Sequence, residues 1–301
     1  MTLQEKLVAR HWKKVKIQDD ARIATLTPTP GMEEITDIAY IDDGHWGHLL
    51  DVYYPQGTTQ PLPVIIDVHG GGFTYGDKDL NKLYNLYLAS LGFTVFNLSY
   101  RIAPETRFDG QIKDVSAALH WIAAHGAEYP CDMENVFITG DSAGGLFAML
   151  LPLIDRSPAL QTIYGLKPCG LNFRAIGLVS PALTITKGAA IVLTKAVFGK
   201  GYRKWEGFRC LDMHTIPDLE QLPPCYLVTS KKDFVEKHSL EFAQILQKKG
   251  VDYELHDWPE GEKLGHVFSV LYPTMEESVQ TSAEMTAFFR KYLVVPAENH
   301  A

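Results

Sequence analysis

Short apolar runs that recur between helical patterns constrain this chain most. PVIIDVHG (63–70) is brief and rich in Val and Ile, as a strand buried on both faces should be. FTVFNLSY (93–100), NVFITG (135–140), FRAIGLVS (173–180) and CYLVTS (225–230) read as further strands, and DYELHDW (252–258) as a last one. Helices are expected at Asp79–Leu91, Gln111–Ala124, directly after NVFITG, at Glu236–Lys249 before Gly250, and at Glu276–Tyr292. In the second of these, Val115, Ala118, Leu119 and Ile122 recur at helical spacing. Ahead of the alternation, after a helical N-terminal stretch, EITDIAYIDD (34–43) and HLLDVYY (48–54) alternate as half-buried strands, with Gly44 and Gly47 bracketing the turn. Early antiparallel strands followed by strand–helix units predict an α/β fold. Its sheet is mostly parallel and twisted, with helices on both faces.

Between Pro181 and Pro223 the alternation stops for some forty residues, too long for a plain connection in a compact domain. Residues 184–216 are expected to form a helical cap insertion, and Phe198, Tyr202, Trp205 and Phe208 suit the roof of an apolar pocket. The expected organisation is a helical segment at 1–33 contributing to the cap, a core of 34–183 and 217–293, and a tail at 294–301.

Charge narrows the partners. With 28 basic against 36 acidic residues the formal net charge is −8, which lacks the footprint of phosphate-backbone binding. Nucleic acid and polyanionic substrates are therefore disfavoured. The longest uncharged run, residues 83–100, is broken by Asn85, Ser90, Gly92, Asn97 and Ser99, so no membrane span is expected. The N-terminal MTLQEKLVARHWKKVK has no apolar core or small-residue cleavage site and does not read as a secretory signal. Cys131, Cys169, Cys210 and Cys225 form no Cys-x-x-Cys pair, and buried thiols in a reducing cytoplasm are the expected state. Nothing in the sequence fixes the oligomeric state, and a homo-oligomer is compatible with it.

Two motifs carry chemistry. Gly140-Asp141-Ser142-Ala143-Gly144 is a G-x-S-x-G match between an expected strand and an expected helix. Glycines on either side permit a sharp turn that lifts the Ser142 hydroxyl above the sheet edge, while the helix N-terminus supplies amide donors. A helix-capping serine is the plainer alternative. His69-Gly70-Gly71-Gly72-Phe73 follows the PVIIDV strand. Consecutive glycines let backbone N–H groups approach a developing oxyanion, with the Ala143 amide as a further donor. One such donor is worth about 2.7–4 kcal/mol of transition-state stabilisation. The spacing matches neither glycine-rich nucleotide loop. His69 belongs to the glycine turn and reads as its organiser, not as a base.

HGGGF, YRIAPE (100–105) and GDSAGG (140–145), in this order, resemble the hormone-sensitive-lipase-like carboxylesterases of the α/β-hydrolase fold. The likeness covers roughly residues 34 to 293. It implies an ester hydrolase with a Ser–Asp–His triad, an oxyanion hole at Gly71, Gly72 and Ala143, and a cap built from N-terminal helices plus an insertion. The text departs from the family at Asp109, Leu146, Val267 and the shortened acid loop Asp233-Phe234-Val235-Glu236.

The acid and base must follow Ser142 in the order acid, then His. Of the aspartates before His266, only Asp233 lies just after a buried strand, where active-site groups of open sheets gather. Asp257, at the end of the last strand, is the alternative. His266 lies in a loop after that strand, whereas His256 sits inside it and His238 is expected on a solvent-facing helix surface. An Arg101–Asp141 ion pair is expected behind the serine turn. The implied activity is hydrolysis of small, short- to medium-chain carboxylic esters through an acyl-enzyme, with Phe73 and Tyr75 shaping the acyl side. No metal and no organic cofactor is called for. An amidase or peptidase using the same triad, or a ligand-binding relative without catalysis, are the alternatives.

Overall fold

The computed structural model describes residues 3–185 and 196–294. Eight strands form one sheet: β1 (Met32–Ala39), β2 (Leu49–Pro55), β3 (Leu62–Val68), β4 (Thr94–Leu98), β5 (Cys131–Asp141), β6 (Phe173–Val179), β7 (Cys225–Ser230) and β8 (Tyr253–Trp258). Their spatial order is β1-β2-β4-β3-β5-β6-β7-β8. β2 runs antiparallel to both β1 and β4, and every pairing from β4 onward is parallel. The expected α/β architecture is thus present, with its antiparallel start.

Side-chain alternation explains the two covering layers. On β3, Val64, Ile66 and Val68 enter one core and Ile65 the other; on β4, Phe96 and Leu98 oppose Val95 in the same way. The first core is roofed by α3 (Phe108–His125) and α4 (Ala143–Arg156), after α1 (Leu3–Ile23) and α2 (Lys78–Ser90) in chain order. Ile112, Val115, Leu119 and Ile122 of α3 and most of α4 pack there. α4 is apolar all round because sheet, α3 and the following segment enclose it. The second core is closed by Tyr84 and Leu88 of α2 and by Met285, Phe288 and Phe289 of the Glu276–Arg290 helix.

Observed strand ends differ from the sequence reading mostly by one or two residues, with two informative exceptions. β1 stops at Ala39, not Asp43, because Ala39 pairs with Leu49, the first residue of β2, beyond which the paired segment turns through Trp46–His48. Within the strand Asp37 takes a left-handed φ of 60° and the register shifts between Ile35 and Ile38. β5 begins at Cys131, four residues early, where Leu62 pairs with Cys131. Two short helices, α5 (Pro158–Tyr164) and the single turn Phe268–Leu271, escape a periodicity reading because they span no more than about two repeats.

The Pro181–Pro223 excursion has a closed base, where Thr184 bridges to Asp212. Within the expected cap insertion, 186–195 fall outside the described residues, as do 1–2 and 295–301 of the terminal segments. The described remainder folds as short helical turns, among them Tyr202–Lys204 and Glu206–Arg209, and its aromatics pack inward: the Phe198 ring lies 5.4 Å and the Trp205 ring 6.2 Å from that of Phe108. No described helix is long and apolar enough to cross a membrane. All four cysteines are free and buried.

Candidate active site

β5 delivers Ser142 on a strained turn. Its φ of 50° and ψ of −112° lie in a region that L-residues rarely occupy, and the turn is held by Ser142 N–H donating to the Val179 carbonyl at 2.9 Å. Flanking glycines are sterically required. A Cβ on Gly144 would stand 1.9 Å from the Val68 carbonyl oxygen, and one on Gly140 would stand 2.5 Å from that of Gly144. The close approach seats the start of α4 on β3, leaving the Ala143 amide at the first helical position without an intrahelical acceptor.

The expected acid and base meet this serine. His266 Nε2 lies 2.9 Å from Ser142 Oγ, and His266 Nδ1 lies 2.8 Å from Asp233 Oδ1. Asp233 is buried on the loop after β7. Its carboxylate also accepts from the Val235 N–H at 3.0 Å and the Thr229 hydroxyl at 3.2 Å. Burial pushes the Asp233 carboxyl up, but the hydrogen bond and charge of His266, with Ser180 and the Val235 amide, outweigh it and hold the group below its usual range. The other candidates are committed elsewhere. Asp257 bonds Lys231, His256 pairs with Glu284 at 2.6 Å, and Asp155 receives the Cys169 N–H.

The glycine loop sits beside the serine. Gly71 and Gly72 have φ of 105° and 59°, and a Cβ on Gly71 would fall 2.0 Å from the Tyr75 carbonyl oxygen. Among the described residues nothing accepts a hydrogen bond from the Gly71 or Gly72 N–H. His69 lies beneath the loop, fully buried. It stacks on Tyr100 at 4.3 Å, and its Nδ1–H donates to the Gly70 carbonyl at 2.7 Å. Burial pushes its imidazole down to about 4, so it is neutral at pH 7 and braces the turn.

Two sequence expectations are corrected. Arg101 does not pair with Asp141. It makes a forked contact to Asp114 of α3, with Nε at 2.8 Å and a terminal nitrogen at 2.7 Å. Asp141 instead turns under the glycine loop, where it accepts the Gly70 N–H and the Asn81 side-chain amide, each at 2.9 Å. The reason is geometric: Asp114 offers both oxygens to the guanidinium fork, while Asp141 is enclosed behind the serine turn. Nor does His238 face solvent. It is half-buried and bonds the Pro181 backbone, and burial pushes its pKa down.

Three supports had no clear local signature. Ser180 directly follows β6 with a φ of 47°, and its hydroxyl accepts the Val267 N–H at 3.1 Å while also bonding Asp233. Its place at the C-terminal end of a buried strand, beside the acid strand, is the signal that could have found it. Asn81 bridges the buried carboxylates of Asp67 and Asp141. Trp12 of α1 donates to the Thr74 hydroxyl at 2.6 Å and stacks on Tyr75 at 4.7 Å. Phe73 is buried edge-on against Phe108 and Phe147, and the Tyr75 hydroxyl donates to Asp19 of α1 at 2.8 Å.

Known proteins are similar to this chain in sequence and fold. Residues 65–269 match the family described as alpha/beta hydrolase fold. Esterase LipI of Mycobacterium tuberculosis is 26% identical over 252 residues, spanning 78% of this chain and 77% of that protein. Among solved structures, an inhibited esterase B from Lactobacillus rhamnosis superposes with a TM-score of 0.91 at 30% identity, over 97% of both chains. A bacterial heroin esterase gives 0.74 at 26% identity, over 95% of this chain and 92% of the other. The match runs from β3 through the glycine loop and the Ser142 turn to His266, and the chain belongs to the hormone-sensitive-lipase-like carboxylesterases of the α/β-hydrolase fold.

Proposed function

We propose that this carboxylesterase hydrolyses small, short- to medium-chain esters through an acyl-enzyme formed on Ser142. The observation that carries the reading is the continuous chain from Ser142 Oγ through the His266 imidazole to Asp233. His266 Nε2 takes the serine proton as Oγ attacks the ester carbonyl. Asp233 keeps the Nδ1–H tautomer in place and stabilises the imidazolium without becoming protonated. The Gly71, Gly72 and Ala143 amides receive the oxyanion. His266 then protonates the leaving alcohol, and water repeats the sequence to free the acid. The mechanism calls on no metal or organic cofactor.

Phe73, held between Phe108 and Phe147, supplies the apolar floor of the acyl side, and Tyr75 joins the wall that α1 covers. The 1–33 segment and the 184–216 insertion act as the cap over the 34–183 and 217–293 core. Short acyl chains accord with the inhibitors of the esterase B structures, described as C6-C4 and as a C4-C4 tributyrin phosphonate. Four buried free thiols accord with a cytoplasmic setting.

Ser142→Ala provides the test. Turnover of ethyl butyrate should fall to background, and an active-site fluorophosphonate should no longer label the protein, while the thermal transition stays in place. Retained turnover would remove Ser142 from the nucleophile's role.

A further inference from the structure

Among the described residues Phe234 is the most exposed large apolar side chain, at 80%. A single exposed aromatic means little by itself. Its position gives this one meaning. The ring lies over the His266 imidazole, centroids 4.2 Å apart and tilted by 42°. Both chain neighbours, Asp233 and Val235, are buried, and the loop is pinned by Asp233 N–H donating to the Ser230 carbonyl and Val235 N–H to Asp233 Oδ1, each at 3.0 Å. The backbone therefore holds the ring at the rim of the site. Core packing does not account for it, because most of its surface faces water.

We infer that Phe234 reads the alcohol half of the ester, an inference that rests on the triad reading above. When the tetrahedral intermediate collapses, the bond from the carbonyl carbon to the alkoxy oxygen breaks and its electron pair stays on that oxygen. The proton on His266 Nε2 transfers to it, completing the alcohol. The leaving oxygen must come within hydrogen-bond reach of Nε2, so the carbon group attached to it emerges beside the imidazole. The acyl half lies across the scissile bond, with Ser142 and the glycine loop. The Phe234 ring is the apolar surface that the departing carbon group meets. An aromatic or branched alcohol covers this ring, whereas methanol is too small to do so.

The experiment uses butyrate esters. Esters of one acid share one acyl-enzyme, so the ratio of their kcat/KM values isolates the alcohol. In the whole chain, Phe234→Ala should lower the benzyl-to-methyl butyrate ratio by about five- to tenfold, mainly through KM for the benzyl ester. Phe234→Leu should restore part of it. The preference among methyl esters of acetic, butyric and hexanoic acid should keep its wild-type order and spacing. An equal loss on benzyl and methyl esters, or a displaced acidic limb of the kcat/KM pH profile, would overturn the inference, because the ring would then serve only to hold or shield His266. So would an altered acyl preference, or no change in the alcohol ratio. Failure of the underlying reading shows separately, as turnover by Ser142→Ala or wild-type protein that a fluorophosphonate does not label.

Discussion

Ser142, Phe73, Ser180 and Val267 all adopt a positive φ without being glycine, and all four lie in or next to segments of the candidate site: the serine turn, the glycine loop, the Asp233 contact and the His266 loop. Such conformations cost on the order of 1–3 kcal/mol each and persist only where surrounding bonds over-determine them. Here those bonds are visible: Val179 and Ser142 in the serine turn, Ala103 and Gln111 on the Phe73 carbonyl, Ser180 on the Val267 amide. Glycine is required for a different reason at Gly71, where both the φ of 105° and the 2.0 Å approach to the Tyr75 carbonyl exclude a side chain. Gly71→Ala should displace the loop and lower kcat by about 10²–10³-fold, as expected for loss of one oxyanion donor. Steady-state turnover and the rate of phosphonate labelling should fall together. Equal kcat in the variant would remove Gly71 from the hole.

At the scale of elements, α1 is attached by a face, not by a sequence motif. Among residues 10–23 of this helix, positions 12, 15, 19 and 22 are half-buried, spaced three or four apart as one side of a helix must be, and so is the terminal Ile23. Trp12 and Asp19 grip Thr74 and Tyr75, just past the glycine loop. One turn further on, Arg22 donates to the Leu271 carbonyl at 2.6 Å, in the segment after His266. One helix therefore bridges the chain segments that carry the glycine loop and His266. Trp12→Ala removes a stacked ring pair and a hydrogen bond, and should destabilise the protein by about 1–3 kcal/mol. It should also lower kcat/KM, because Thr74 and Tyr75 lose their clamp. Thermal denaturation and ester turnover check both; a variant with wild-type values in each would show that α1 is not coupled to the site.

For the whole molecule, a buried polar network lies behind the active site. Asp67 on β3 is fully buried, accepts side-chain amides from Asn81 at 2.9 Å and Asn85 at 2.8 Å, and shares Asn81 with Asp141. Burial foremost, then the charge of Asp141, pushes the Asp67 carboxyl up to about 7 against the opposing pull of the two asparagines. The consequence for stability has a definite sign. Between the ordinary aspartate value and about 7, folded Asp67 keeps a proton that the unfolded chain has released. Stability then falls as pH rises, by up to about 1.4 kcal/mol per pH unit. Above that window both states are ionised and the slope vanishes. Urea unfolding from pH 4.5 to 8 should therefore show wild type losing stability relative to Asp67→Asn up to neutrality. A constant difference between the two proteins across that range would count against a protonated Asp67.

Much of this protein is legible in its sequence. Buried strands announce themselves as short apolar runs, and GDSAGG, HGGGF and the order Ser142, Asp233, His266 are local patterns with local causes: a turn that needs small residues, a helix that must start there, an acid on a loop after a buried strand. Other partnerships were not legible. Arg101 with Asp114, Asp141 with Gly70, Ser180 with Val267 and Phe234 over His266 each join positions whose relation depends on how strands and loops are stacked. Sequence by itself determined which side chains could do the chemistry, because residue type and spacing along one element are properties of the chain. Only the tertiary structure decided which of them touch, since a distance across the sheet is set by the packing of every layer between them.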